Sequence, residues 1–440
     1  MAYYLFAIVL GILPQVVLPF SPFAVWHHPA GSVKHSWVDG NKCNAMVLAQ
    51  SSNPLDEMSE ERKSNLFQFL LRDLEIEGVP LLGCDADQPP TLQAALWTTM
   101  AELSEQPGEQ KACLVLENIP VDALRVFVDD FIILKTQQRL MDQLPELSRF
   151  SISLVGKGVG PAILIEAAEW TPEQKQKYDN IRNASPLPNE LTWQAAMKSF
   201  VARMIAGKEV CPFTSNNSMA PSGLENRGIL SGPIGYRLVG TPNACDIMSA
   251  FWNCMCELLA VPEDQLSATI MCLPPIPEGA DTKAAHDRFS VVAELISRNL
   301  FLYRGEDVLD LWHMHPLYDR DLVFPVDKPQ HGHLPPTSWL RAMLRTVGRT
   351  EEANALTDEQ LKLQNYQRRS PLPAVVIKRV SQLDAASTPE NAMIQLDVGE
   401  GRLEIASGLG VYSRNVLGMA MEGESSLKAA LAAEIEITKQ

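Results

Sequence analysis

Four of the chain's eight histidines fall between His313 and His333, in the segments "LWHMHPLYDRD" and "QHGHLPP". In a strand, residues i and i+2 share a face, so His313 and His315 are spaced to chelate one ion. His333 or Asp319 would supply a third ligand of the kind zinc uses. Histidine is equally at home at strand ends and in loops, and none of the eight cysteines forms a C-x-x-C pair. The balance falls against a metal, and no cofactor is implied. His315 is then a candidate general acid or base.

Two other stretches carry chemistry. In "GKEVCPF", Cys211 follows a predicted helix and reads in two ways. It is either a small buried hydrophobe that positions the Pro212 turn, or a nucleophile activated by His315 or Arg369. In "NYQRRSPLP", Arg369 stands beside a Ser-Pro turn, where a guanidinium makes a bidentate clamp for carboxylate or phosphate. An ion pair with Asp319 is the competing use of the same side chain. Tyr318 and Tyr366 are pocket-lining donors or packed rings.

These stretches, with "HMHPLYD" between them, resemble the mainly bacterial family catalogued as domain of unknown function fourteen-fifteen. Its members carry Leu-Cys-Pro-Phe after a helix, Phe-His-Pro-x-Tyr at a strand end, and Asn-Tyr-x-x-Arg-Ser-Pro-x-Pro before another strand. The resemblance spans about residues 190 to 385 and implies positions without a reaction, because the family has no established activity. By correspondence it points to Cys211, Pro212, Phe213, His315, Pro316, Tyr318, Asn365, Tyr366, Arg369, Ser370 and Pro371. The chain departs from the pattern at Val210, at Leu372, and in about 30 extra residues between the second and third motifs. Asp327–Gln364 is read as that insertion, and it includes a predicted helix, "TSWLRAMLRTVG".

The elements that must position these residues follow from hydrophobic period. Before the proline-bearing "NASPLPNE", the expected linker over 183–190, a helix over "SEERKSNLFQFLLRDLEIEG" precedes strand "VPLLGC" and helix "TLQAALWTTMAELSEQ". Strand "ACLVLENI", a long helix from about Val121, and strands "FSISLVG" and "PAILIEAAE" complete the first half. After the linker, "LTWQAAMKSFVARMIAG" places Trp193, Met197, Phe200, Val201 and Met204 on one face, with Gly207 as C-cap. Strand "IGYRLVG", helix "ACDIMSAFWNCMCELL", strand "ATIMCLP", helix "AHDRFSVVAELISRNLFLY" and strands "DVLDLWHMH" and "LPAVVIKRV" follow. Both halves read α-β-α-β-α-β-β. The expected class is α+β, with two layered α/β-sandwich domains over 43–182 and 191–385; a ferredoxin-like sheet is one option for the second. The tail, 386–440, adds the hairpin "MIQLDVGEGRLEIA" and the helix "SSLKAALAAEIEIT".

Composition narrows the function. The 440 residues carry 37 basic and 53 acidic side chains, a formal charge of −16, which disfavours nucleic acid as a partner. Between Asp287 and Arg379 there are 13 basic and 12 acidic residues, against 24 and 41 elsewhere, so a small anion is best tolerated there. Residues 1–22 read as a signal peptide and 23–42 as a transit-like leader. "SPFA" resembles the cleavage region of algal two-part plastid-targeting leaders. The expected location is the plastid by way of the secretory pathway, with secretion or an endomembrane as the alternative, and no stable membrane insertion after processing. The functional expectation is an enzyme acting on a small anionic metabolite through Cys211, His315 and Arg369 in one pocket, with Tyr318, Asn365, Tyr366 and Ser370 binding substrate. The alternative is a non-catalytic module for a ligand or partner.

Overall fold

Short apolar runs can pair as parallel neighbours only where the connection between them is long enough to cross over, and this rule shapes both halves of the chain. The computed structural model describes residues 81–85, 89–117, 137–155, 162–185, 189–211, 232–276, 281–302, 305–382, 393–397, 402–406 and 408–440. The leader, the helix expected over 59–78, the one expected from Val121, and Pro212 with Phe213 lie outside the described residues.

In the first unit, β1 (Leu81–Asp85), α1 (Pro89–Ser104), β2 (Gln110–Glu117), β3 (Phe150–Val155) and β4 (Ala162–Ala167) build a sheet of order β1-β2-β4-β3. β1 and β2 run parallel because α1 returns the chain between them, and β4 is antiparallel to both of its neighbours. α1 runs against β1, β2 and β4 and buries Leu92, Leu96 and Met100.

The second unit takes in 137–148 and the chain from Thr171 onward. The division thus falls at Trp170–Thr171, upstream of the expected linker. α2 (Pro172–Ala184), opened by a Thr171 capping box, belongs to this unit. α3 (Glu190–Phe200) follows. β5 (Ile234–Leu238), α4 (Ala244–Ala260), β6 (Ala268–Cys272), α5 (Thr282–Leu302), β7 (Leu309–Met314) and, after the insertion, β8 (Ala374–Arg379) give a sheet of order β5-β6-β8-β7. β5 and β6 are parallel; β8 is antiparallel to β6 and β7. The two sheets share strand order and directions, matching the parallel read in the sequence pattern, and the class is α+β. A ferredoxin-like arrangement, β-α-β-β-α-β, is not what forms: here helices follow the first and second strands, and the first two strands lie side by side in parallel.

The sheet of the second unit separates two packed layers. On one face Met314, Ala374, Val376 and Ile270 meet Trp193, Met197, Phe200 and Met204. The helical face read from "LTWQAAMKSFVARMIAG" is therefore the buried one. Its last turn, Val201–Ala206, is a π-helix. Gly207 follows at φ −67°, in the right-handed region, so its role is close approach. A Cβ there would sit 2.8 Å from the carbonyl oxygens of Ala202 and Arg203. On the other face, His313 of β7 turns towards α5, meeting Phe289 and Ser297.

Residues 327–364, the expected insertion, hold α6 (Leu340–Thr346), α7 (Thr350–Ala355) and α8 (Asp358–Lys362). A 3-10 segment, Leu363–Gln367, leads from α8 into the third motif. The tail forms the antiparallel hairpin of β9 (Met393–Asp397) and β10 (Arg402–Ala406), then α9 (Gly408–Glu422) and α10 (Glu424–Ile437). Insertion and tail pack together: Leu340, Leu344 and Leu361 share one apolar cluster with Leu409 and Val416 of α9.

One buried ion pair ties residues 137–148 into this unit. Glu146 is fully buried. It accepts the Ala244 amide at 2.9 Å, at the first residue of α4, and pairs with Arg288 of α5. The carboxylate complements the positive end of α4 while balancing the guanidinium. Removing one partner leaves the other charge stranded, so Glu146→Ala should lower unfolding free energy by about 3–5 kcal/mol. Urea denaturation measures this, and a loss below about 1 kcal/mol would remove the pair from any account of the fold.

Candidate functional site

The third motif reaches the other two through backbone and side-chain hydrogen bonds. The His315 amide donates to the Arg368 carbonyl at 3.0 Å, and Arg369 Nε donates to the Tyr318 carbonyl at 3.0 Å. Asn415, on α9, donates to the Val210 carbonyl at 3.2 Å and to Gln367 Oε1 at 3.1 Å. One asparagine thereby fixes the residue before Cys211 against the residue before Arg368.

Arg368, which the sequence reading passed over for its neighbour, is the most exposed to question. It is 2% solvent-accessible. Its Nε and Nη1 have no hydrogen-bond partner among the described residues. Its guanidinium lies 3.8 Å over the Trp312 ring, and the Lys378 ammonium lies 3.7 Å from the same ring. Cation–π attraction steadies both charges, but it does not satisfy an N–H. Lys378 is paired with Asp310 at 2.6 Å, the residue opposite it in the β7–β8 register. Burial works against the Arg368 charge, and Tyr412, Tyr318, Asp310 and Cys211 act in the other direction; a guanidinium stays cationic under such conditions. The group comprising Arg368, Lys378 and Asp310 therefore carries a net charge of +1. Cys211 is half-buried beside this layer, packed against the cluster that contains Met314 and Trp312.

Arg369 has a different task. It is partly exposed, stacks 4.5 Å over Tyr366, and holds the turn after His315 through the Tyr318 carbonyl. Asp319, the expected rival partner, instead accepts from Asn365 Nδ2 at 3.1 Å and from the Asp321 amide at 3.0 Å. Asn365 Oδ1 accepts the Arg320 amide at 3.1 Å, so both ends of its amide are engaged. The Ser370 hydroxyl donates to the Leu372 carbonyl, and Tyr366 is buried in the apolar cluster. These residues brace turns.

His315 belongs to the opposite layer. Its ring packs edge-on to His286 at 5.1 Å and lies 5.2 Å from Phe289, both on α5. Cys211 and His315 thus pack on opposite faces of the sheet, which is why the expected shared pocket of Cys211, His315 and Arg369 resolves into separate environments. His315 Nδ1 accepts the Leu317 amide at 3.1 Å, so in the neutral ring Nε2 carries the hydrogen. That Nε2 is buried without a partner among the described residues. Burial, then His286, lower the pKa to about 3. His315, the expected general acid or base, is thus held neutral with its hydrogen on Nε2.

The other histidines hold the insertion to the edge of the sheet. The His313 amide donates to the Gly332 carbonyl at 2.9 Å, so 331–333 cover the free edge of β7. Gly332 has φ +77°, and a Cβ there would lie 2.4 Å from the His313 ring; only glycine fits. Tyr318 Oη accepts the Leu334 amide at 3.1 Å, leaving its hydrogen for His333 Nδ1 at 3.2 Å. Burial pushes the Tyr318 phenol up to about 12 and holds His333 well below its usual value. Among the described residues, no three of His, Cys, Asp and Glu are grouped to hold a metal ion. No helix of the described residues is long and apolar enough to cross a membrane. No family model, curated protein or solved structure matches the chain.

His313 and His315 make stability depend on pH. Burial first, then His331 and Arg368, lower His313 to about 3, as burial and His286 do for His315. Unfolded histidines titrate near ~6.5, so between that value and 3 the unfolded chain binds more protons. Stability is full above this window and is lost as pH falls through it. Each histidine contributes a slope of up to about 1.4 kcal/mol per pH unit. The loss between pH 6.5 and pH 5, read by urea unfolding, should shrink by about 1–2 kcal/mol in His313→Gln or His315→Gln. An unchanged slope in both variants contradicts the neutral assignment.

Proposed function

We propose that this protein binds a small anionic metabolite at Arg368 and acts on it through Cys211. The observation that carries the reading is the buried guanidinium whose Nε and Nη1 lack partners among the described residues. Buried donors are nearly always satisfied, and a charged oxygen satisfies them best. Lys378 adds positive potential, and its pairing with Asp310 leaves Arg368 as the group in need of an anion. A single carboxylate or phosphate oxygen pair matches that need in charge and donor geometry.

A second reading, binding without turnover, is favoured by His315, the expected general acid or base, which packs with α5 and whose Nε2 is buried. The resemblance to the uncharacterised family is part of the first reading. It is supported by the contacts joining the three motif stretches through Arg368, Tyr318 and Val210. The route to a plastid rests on residues 1–42 alone.

Isothermal titration of the full chain with inorganic phosphate, sulfate and acetate tests the binding. At least one should bind, and Arg368→Met should lose about 1.5–3 kcal/mol of affinity, the value of a charged hydrogen bond. Arg369→Met should change affinity by less than about 0.5 kcal/mol, as an ordinary surface substitution does. Loss of binding in Arg369→Met with none in Arg368→Met would return the clamp to the neighbouring residue.

A further inference from the structure

We infer that Cys211 is a modification site that undergoes thiol–disulfide exchange with an anionic disulfide of the glutathione type. The inference rests on the reading of Arg368 as an anion site and adds a chemical class to it. Among the cysteines whose burial is described, Cys113, Cys245, Cys254 and Cys272 are buried; Cys211 and Cys256 are not. Burial also raises the Cys113 thiol to about 11 and raises Cys272, so neither competes as a nucleophile.

Position separates Cys211 from Cys256. The Cys211 amide donates to the Ile205 carbonyl at 3.4 Å, at the end of the π-turn. The Val210 carbonyl is held by Asn415, whose amide also holds Gln367, and Arg414 is bonded to Glu209. Cys211 packs against the same cluster as Trp312, whose ring carries Arg368 and Lys378, so the thiol belongs to the layer of these two cations. Arg368 is the second, independent feature. It is buried and cationic, its Nε and Nη1 have no partner among the described residues, and it is so suited to a carboxylate of the incoming disulfide. Cys256 lies on α4, one of the helices of the second unit.

The step balances without a further reagent. The Cys211 thiol gives its proton to solvent and the sulfur attacks one sulfur of glutathione disulfide. The old S–S bond breaks as the new one forms, and one glutathione thiolate leaves and takes up a proton. The electron pair of the new bond comes from the Cys211 sulfur, which is oxidised from −2 to −1, and the pair of the old bond leaves with the departing sulfur, which is reduced from −1 to −2. Arg368 attracts the anionic reagent and steadies the negative charge that builds on the sulfurs during exchange.

The experiment incubates the purified full chain with glutathione disulfide near neutral pH and follows each cysteine by peptide mass spectrometry. Cys211 should be modified at least about tenfold faster than Cys256, and Arg368→Met should slow Cys211 by about tenfold while leaving Cys256 unchanged. Arg368→Lys, which keeps the charge, should retain most of the rate. Bis(2-hydroxyethyl) disulfide, a neutral probe, should respond far less to the Met substitution. Cys211 reacting no faster than Cys256, or both probes responding equally to Arg368→Met, overturns the inference. Phosphate binding is measured in parallel on Cys211→Ser. If phosphate binds there while wild-type Cys211 is inert, the exchange site falls and the anion site stands. If phosphate does not bind and exchange is indifferent to Arg368, both fall.

Discussion

Taking a guanidinium out of water without pairing its N–H donors costs several kcal/mol, and among the described residues of the second unit Arg368 Nε and Nη1 are buried in this way. Much of the surrounding architecture follows from holding that group in place. Trp312 on β7 offers a ring to both Arg368 and Lys378. The β7–β8 register sets Asp310 opposite Lys378, so the nearest carboxylate is already committed. The backbone carbonyl of Arg368 accepts the His315 amide, which joins the third motif to the end of the edge strand.

The insertion and the tail close this arrangement from outside. Arg320, itself fully buried, donates to the carbonyls of Leu334, Val323 and Lys328. The loop that begins the insertion is thereby gathered round one side chain. The insertion helices then rest on α9, the helix that contributes Tyr412 and Asn415. Arg203 and Lys208, at the π-turn, pair with Glu434 and Glu422 of the two tail helices. The segment before Cys211 and the last helices of the chain are consequently one packed assembly, although more than 200 residues separate Arg203 from Glu434 in sequence, |i−j| being 231.

Elements with a clean apolar period were legible from sequence, and the buried face of α3 is the clearest case, because Trp193, Met197 and Phe200 recur at helical spacing. α9 was not, since Gly408, Gly410 and Gly418 interrupt its sequence and glycine lowers helix propensity by about 1 kcal/mol each; packing against the insertion overrides that penalty. Within "NYQRRSPLP", Arg368 is buried and Arg369 is partly exposed. Nothing in adjacent arginines tells which one enters the core, and the motif resemblance favoured Arg369. Nor does alternation alone reveal that His313 faces α5 while Trp312 faces the opposite layer with Cys211. Period two separates neighbours, but only the partners across each face say what chemistry they meet. The imidazole roles depended on partners, the Leu317 amide for His315 and the Ser297 hydroxyl for His313, that leave no mark in composition.

The central claim is that the open donors of Arg368 belong to an anion. A crystal structure of the full chain grown in phosphate measures this directly. The account predicts a phosphate oxygen about 3 Å from Arg368 Nε or Nη1, with Lys378 still paired to Asp310 and the Trp312 ring still against both cations. The contradictory result is Asp310 or another side chain of the protein turned onto Arg368, pairing both donors and leaving no position for an anion.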